Sequence, residues 1–368
     1  MSVLYIQNGK EYTEYIVLDD DQPLCYMKES VSRDGIDYED IFLGKIDRIQ
    51  KGMDVAYVQL EKGMNAYLPF SECVKPPVSG DKVLVQIKRM TTGMKLPYVT
   101  EDISIAGKYA ILLPFKDKIA ISQRITDTDE KTRLKDLALR IKPAGMGLII
   151  RSEAGLTDEA TIQTEINALS GRFEQIKQGI TSVTPPAKVY SHPSVIDRLL
   201  RDRKDIDAIY TDGMSPDTAV NCYRVSEPFL LKNARQKVEK NLQHNVWMKS
   251  GAYYTCDICE ALTVYDINSG KYQPSVHSDK EENILRLNEE AAKAVAANIQ
   301  LRRLGGIILI DFLDMKNDEE REYIVKTLEA AFRNDPVKTV IHGFTRLGLL
   351  EMTRKRTEAS LTIKEVTS

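Results

Sequence analysis

Five cysteines in 368 residues are an odd number thinly spread, which argues for reduced thiols and against a disulfide framework. No apolar run approaches the length of a membrane span, and the N-terminus MSVLYIQNGKEY lacks a basic region followed by an apolar core. These absences predict a soluble, cytoplasmic chain without a membrane span. Charge of one sign is also missing: 51 Lys and Arg face 54 Asp and Glu, for a net charge of −3. Nucleic-acid binding by global attraction is thereby excluded, so any such binding must rest on local basic patches. Metal-ligand clusters are scarce as well. Cys256 and Cys259 form a CxxC, but no second CxxC or spaced His pair accompanies it, and strand positions three apart face opposite sides.

What is present is an apolar fraction of 42%, enough for ordinary cores, in a chain long enough for two or three domains. Residues 1–39 alternate weakly around Asn8-Gly9 and the acidic Asp19 to Asp21, which predicts two or three antiparallel strands that need a partner from later sequence. Residues 40–105 read IFLGKIDRI, DVAYVQL, NAYLPF and KVLVQIKRM between glycine-containing turns, the spacing of a small OB-type barrel. In it Tyr57 and Tyr67 offer stacking platforms, and Lys45, Arg48, Lys88, Arg89 and Lys95 can track a phosphate backbone. Half-buried strand positions and a solvated face account for the same residues equally well. Residues 106–185 hold YAILLPF, KIAIS, a helix over 130–140, MGLIIRSEAG and a helix over 160–177. Arg151-Ser152, at the end of that last strand, sets a guanidinium beside a hydroxyl, which can clamp phosphate or simply join a surface salt bridge. Pro185-Pro186 marks a boundary. Residues 186–235 follow with KVYSH, the helix VIDRLLRD and DAIYT, expected to pair with the N-terminal strands, and PFLLKNARQKVEKNLQ reads as helical.

Two stretches in residues 236–368 carry the candidate chemistry. EALTVYDINSG, from Glu260 to Gly270, and GGIILIDFLDM, from Gly305 to Met315, are short apolar runs that deliver Asp266 and Asp311 at their ends. An aspartate in such a place can also stop a strand or cap the next helix. The intervening segment from Ser278 to Leu304 reads as one helix, with Ser278 and Glu281 spaced as a capping box, so the unit is β-α-β. A right-handed crossover would bring both carboxylates to one sheet edge. Two strand-end carboxylates suit a hydrated Mg²⁺, and Asn268, two residues from Asp266, shares its face and can orient it. Asp314 is either a further ligand or part of the approach to a helix over 318–333. A strand VKTVIHG and a helix LGLLEMTRKR with a basic end complete the segment.

EALTVYDINSG, LGGIILIDFLDM after an alanine-rich helix, and RLGLLEMTRKR together resemble the signature stretches of the ribonuclease E/G family of endoribonucleases. IFLGKIDRI and AYLPF are similar to its RNA-binding barrel, GMGLIIRS to its end-sensing strand, and VWMKSGAYY to the lead into its catalytic sheet. The resemblance implies an α/β, α+β multidomain fold: an RNase H-like subdomain (1–39 and 186–235), an inserted OB-fold barrel (40–105), a 5′-end sensor (106–185) and a DNase I-like catalytic subdomain (236–368). It implies that Asp266 and Asp311 hold a catalytic Mg²⁺ with Asn268 in support. It also implies that Arg151 and Ser152 sense a 5′-monophosphate, and that Tyr57, Tyr67, Lys95 and Arg124 contact RNA.

Departures from the family pattern shape that expectation. Lys95-Leu96-Pro97-Tyr98 stands where the family usually has Lys-Gly-Pro-Arg, which removes a cation, and Gln123-Arg124 where it often has two arginines. Family members continue past the position of Leu361 into a CPxC zinc-link that joins two protomers. This chain ends at Ser368 without it, so a homo-oligomer would have no zinc-link to support it. The implied activity is endonucleolytic cleavage of single-stranded RNA, in rRNA precursors and mRNA. The alternative is an RNA-binding protein of the same fold with weak or no cleavage.

Overall fold

The structure, a computed structural model, describes residues 1–32, 35–90, 96–155, 157–203, 205–273 and 279–367. The chain forms two units, Met1–Asp34 with Ser194–Ser368, and Gly35–Pro193. The first unit opens with an antiparallel meander of β1 (Ser2–Asn8), β2 (Tyr12–Asp19) and β3 (Gln22–Ser30). Asp20 and Asp21 take φ of 42° and 73°, the left-handed pair that a tight two-residue hairpin turn requires.

The second unit begins with β4 (Ile41–Gln50), β5 (Val55–Glu61), β6 (Met64–Pro69), β7 (Lys82–Arg89) and β8 (Tyr98–Thr100). Their order β4-β5-β6-β8-β7, with β7 pairing back onto β4, closes an OB-like barrel. Phe42, Ile46, Val58, Leu68, Val85 and Val99 fill it from alternate positions. A four-stranded sheet follows, ordered β11-β12-β10-β9 from β9 (Ile105–Ala106), β10 (Ala110–Leu113), β11 (Ile119–Ile121) and β12 (Gly147–Ile150). It is covered by α1 (Thr128–Ile141) and α2 (Glu159–Ser182), and Ile162, Ile166, Leu169, Phe173 and Ile176 give α2 its apolar stripe. Asp127 and Asp158 cap the two helices by accepting first-turn N–H bonds.

The strand expected to join the N-terminal sheet goes elsewhere. β13 (Ala187–Tyr190), within KVYSH, pairs antiparallel with β4 of the barrel. Asp40, fully buried just before β4, is the reason: it accepts from the His192 backbone N–H at 2.8 Å and pairs with its ring Nδ1 at 2.8 Å and with Lys188 Nζ at 2.9 Å. One buried carboxylate therefore holds both ends of β13 to the barrel.

Back in the first unit, α3 (Val195–Asp202) leads to β14 (Ile206–Thr211), which pairs parallel with β1, and to β15 (Asn221–Arg224), parallel to β14. This completes a sheet of order β15-β14-β1-β2-β3. The helix read in PFLLKNARQKVEKNLQ is regular only as α4 (Ala234–Asn241), because Leu231 and Lys232 leave helical geometry, Lys232 with φ of 59°. A second sheet, β16-β17-β18-β19-β21-β20, comprises β16 (Asn245–Trp247), β17 (Tyr253–Ile258), β18 (Leu262–Asn268), β19 (Gly306–Asp311), β20 (Thr339–Phe344) and β21 (Leu350–Arg354).

Helices α5 (Lys280–Leu301) and α6 (Asp318–Ala331) cover one face of this second sheet, and α7 (Ile363–Thr367) lies near the C-terminus. Ser278 of the expected capping box lies outside the described residues, and Asp279 occupies the N-cap of α5. The basic helix expected in LGLLEMTRKR is instead strand β21. Leu350, Met352 and Arg354 are buried while Glu351 is exposed, a period of two rather than 3.6. Arg354 is no surface cation: it forms a buried bidentate pair with Asp335 at 2.8 and 3.0 Å.

Burial alone would raise the Asp40 carboxyl, but hydrogen bonds from His192 and Lys188 hold it below its usual value of 3.8. Its contribution to stability is then complete above that value and is lost as pH falls through the lowered one. Asp40→Asn is expected to lose on the order of 3 kcal/mol at pH 7. Urea unfolding at pH 7 and in acid is expected to show the gap to wild type narrowing in acid.

Candidate active site

β18 and β19 are the parallel pair of their sheet, joined by the α5 crossover, and their register sets Asp266 directly against Asp311. Thr263, Tyr265, Ile267, Ile308 and Ile310 turn inward beneath the helices. The alternate positions, including Asp266 and Asp311, therefore face out. Asn268 donates from Nδ2 to Asp266 Oδ2 at 2.8 Å, which sets the carboxylate's rotation and leaves Oδ1 for a ligand. Burial, then the charges of Asp266 and Asp314, push the Asp311 carboxyl above its ordinary value. Asp311 thus feels the negative charge of both neighbouring aspartates.

Whether this arrangement suits the divalent cation that the sequence implies can be judged from its donors. Asp266 and Asp311 offer hard carboxylate oxygens on an exposed face, and their mutual repulsion is what a cation would relieve. Among the described residues no group of three or more His, Cys, Asp or Glu is placed to hold a metal ion, so the candidate site rests on the two strand-end carboxylates. A two-carboxylate site open to water and phosphate oxygens is the Mg²⁺ pattern, so the residues fit. Cys256 and Cys259 diverge: the first is buried in the core, the second is exposed beyond the end of β17.

Sequence reasoning missed the groups that hold the carboxylate strands. α5 carries three buried asparagines, Asn283, Asn288 and Asn298. Asn288 donates to the Leu313 carbonyl at 2.8 Å and accepts from the Leu313 N–H at 3.0 Å, clamping the loop between Asp311 and Asp314. Asn298 accepts from the Tyr265 hydroxyl at 2.9 Å, one residue before Asp266. Asn283 accepts from the Tyr272 hydroxyl at 2.7 Å. The available signal was three asparagines on the buried side of an amphipathic helix, where an unpaired amide would be costly.

In the second unit β11 and β12 run parallel, so Arg124 and Arg151-Ser152 follow neighbouring strand ends on one edge. Arg151 donates from Nη1 to the Gly107 carbonyl at 2.6 Å, and the Ser152 hydroxyl donates to Glu153 at 2.8 Å. Glu165 of α2 anchors that loop, accepting the N–H groups of Lys108, Tyr109 and Ala110 at 2.6, 2.7 and 2.9 Å. A Cβ at Gly107 would come within 2.6 Å of the same carboxylate, which would have to shift away from the loop it anchors.

On the barrel, Tyr57 pairs with Tyr67 in register and Tyr67 with Tyr98, giving a row of three half-buried rings with centroids 6.5 and 6.1 Å apart. Arg48 lies 4.5 Å over Tyr57 and Arg89 5.2 Å over Tyr98. The Tyr98 hydroxyl donates to Glu72 at 3.0 Å, and burial together with that carboxylate pushes its pKa up to about 12. The sequence reading treated Tyr98 only as a lost cation; it is a third ring in the row. Lys95 lies outside the described residues.

One unit carries an OB-like barrel with an aromatic and cationic row, and the other carries paired carboxylates on an open sheet face. Residues 104–357 match the model of the Ribonuclease E/G family. The chain is 31% identical over 354 residues to ribonuclease E of Nostoc sp. (strain PCC 7120), covering 86% of this chain and 51% of that relative. It is 30% identical over 359 residues to ribonuclease G of Escherichia coli (strain K12), and 31% over 359 residues to that of Haemophilus influenzae, covering 87% of this chain and 73% of each relative. It thus spans about half the length of the ribonuclease E relatives, 51% and 52% in two cases. The chain belongs to the ribonuclease E/G family.

The Asn288 clamp is testable without any substrate. Asn288→Leu keeps the branched shape of the side chain with bulkier ends and removes the partner of the Leu313 N–H and C=O, for an expected loss of about 2–4 kcal/mol. Urea unfolding measures it, and a variant as stable as wild type would remove the clamp from the account.

Proposed function

We propose that the chain is a Mg²⁺-dependent endoribonuclease that cleaves single-stranded RNA and leaves 5′-phosphate and 3′-hydroxyl ends. The observation that carries this reading is the parallel register of Asp266 and Asp311, with Asn268 holding one oxygen of Asp266. When bound there, Mg²⁺ would supply charge neutralisation at the scissile phosphate and lower the pKa of the attacking water. Asp266 and Asp311 hold that charge at the strand ends, Asn268 keeps Asp266 in one rotamer, and Asn288 keeps the Asp311 loop from swinging away. The family relatives' names, ribonuclease E and ribonuclease G, support the substrate class.

The finer architecture is part of the same proposal. The order β15-β14-β1-β2-β3, three antiparallel strands followed by parallel ones, supports an RNase H-like subdomain, and the six-stranded sheet with its β-α-β centre a DNase I-like catalytic one. The tyrosine row, with Arg48 and Arg89, would guide the strand by stacking and by phosphate contact. Arg151 and Ser152 would favour a 5′-monophosphate, for which the Ser152 hydroxyl must turn from Glu153, and Arg124 after the neighbouring strand end would contact RNA. No helix among the described residues is long and apolar enough to cross a membrane, and five free cysteines suit a reducing cytoplasm.

Cleavage of a fluorescent single-stranded RNA, carrying 5′-monophosphate or 5′-hydroxyl, in Mg²⁺ or EDTA, tests the reading. Asp311→Asn is expected to lower kcat/KM by about 10²–10³-fold and Asn268→Ala by about 10–100-fold. EDTA is expected to abolish cutting, and the monophosphate to be preferred. Equal cutting by wild type and Asp311→Asn, or RNA binding without cutting by wild type, would sink the enzyme reading; the second result would leave an RNA-binding protein.

A further inference from the structure

The chain's one tryptophan, Trp247, is 54% exposed although it lies on a strand of the sheet that carries the carboxylates. Core packing does not account for it, since Val246 and Met248 on either side take the buried positions. Its ring stands 4.9 Å from that of Tyr253 at 44°, with Lys271 Nζ 5.4 Å from its centroid.

Register carries this pair to the site. Trp247 is paired with Tyr253, and Tyr253 with Asn268. Side chains at paired positions share a face, and so do Asn268 and Asp266, two residues apart. Trp247, Tyr253, Asn268, Asp266 and Asp311 therefore line the one open face of the sheet. Trp247 sits two strand spacings, roughly 10 Å, from Asn268. That is within reach of a nucleotide whose neighbour lies at the carboxylates.

The rings are also held in place. Gly270 has φ of 53°, and a Cβ there would lie 3.0 Å from the Tyr253 ring, 3.2 Å from the Trp247 ring and 2.7 Å from the Gly251 carbonyl. The bare backbone thus packs the edges of both rings. The Lys271 N–H bonds the Gly251 carbonyl at 2.8 Å, which ties the cation's own backbone to the loop between Trp247 and Tyr253.

We propose that Trp247, Tyr253 and Lys271 form a base-stacking subsite for a nucleotide flanking the scissile phosphate, an inference that rests on the single-stranded RNA reading above. The indole offers a flat apolar face to a nucleobase of any identity, and Lys271 offers charge to that nucleotide's phosphate. An anionic polymer with flat bases matches this combination of ring and cation.

Because Trp247 is the one tryptophan, its emission reports the subsite directly. Wild type is titrated in EDTA with a 2′-O-methyl single-stranded oligonucleotide. Indole emission is expected to fall with the same midpoint at which the anisotropy of a labelled copy rises. In cleavage assays Trp247→Ala is expected to lose about 5- to 150-fold in kcat/KM, with Trp247→Phe recovering most of it, and Lys271→Ala is expected to weaken binding while making it less salt-dependent. Binding and cutting by wild type with unmoved emission, and a Trp247→Ala variant as active as wild type, would overturn the subsite while leaving the endoribonuclease reading intact. A loss in Trp247→Ala that Phe does not restore, with emission unmoved, would mean packing alone and would also overturn it. Wild type that neither binds nor cuts RNA would overturn both.

Discussion

A polar side chain on the buried side of a helix must be satisfied internally, and the site's architecture depends on how α5 does this. Residues from Ala291 to Leu301 are buried almost without interruption apart from Lys293, and the alanines among them allow close approach on either side. On one side lie the strands that carry the carboxylates; on the other Leu301 joins the core around Tyr5 and Tyr26 of the first sheet, while Gln300 accepts from the buried Arg203. Each buried asparagine, Asn298 within that run and Asn283 and Asn288 before it, is compelled to find a partner, since an amide buried without one is strongly unfavourable. The partners are Leu313, Tyr265 and Tyr272, all next to the residues that carry the chemistry.

The β-α-β connection and the adjacency of Asp266 and Asp311 were legible in the sequence. Both strands are continuous apolar runs, the crossover helix has a clean period, and parallel strands joined by one helix have a single handedness. The closed barrel was legible for a similar reason, through short strands evenly spaced by glycine turns. What escaped were features decided by tertiary pairing. KVYSH has no intrinsic preference for one sheet over another, and Asp40 decides its place through bonds to residues about 150 positions away. LGLLEMTRKR has the composition of a helix, and β21 forms because Leu350 and Met352 complete a core and Arg354 meets Asp335. Tyr98 looked like a missing cation until its register with Tyr67 put it in a row of rings.

The two surfaces proposed to meet RNA share one construction. In each, aromatic rings on neighbouring strands are brought together by register, and a long cation lies over a ring: Arg48 on Tyr57 and Arg89 on Tyr98 in the barrel, Lys271 on Trp247 in the six-stranded sheet. Such a surface distinguishes flexible strands from duplexes better than it distinguishes bases, because every unpaired base has a π-face while hydrogen-bonded readout needs a particular edge.

The Asp40 clasp has a consequence for how the chain is assembled. Lys188, which pairs with Asp40, also donates to the Gly35 carbonyl, so the first and last segments of the second unit are joined to one another. A unit of some 160 residues that enters and leaves at neighbouring points asks little of its host beyond two adjacent attachment sites, which is the condition under which domain insertion is tolerated. The N-terminal meander can thus keep its pairing with β14 across a gap of nearly two hundred positions. The clasp thus closes the barrel and its companion sheet on themselves as an insertion within the chain.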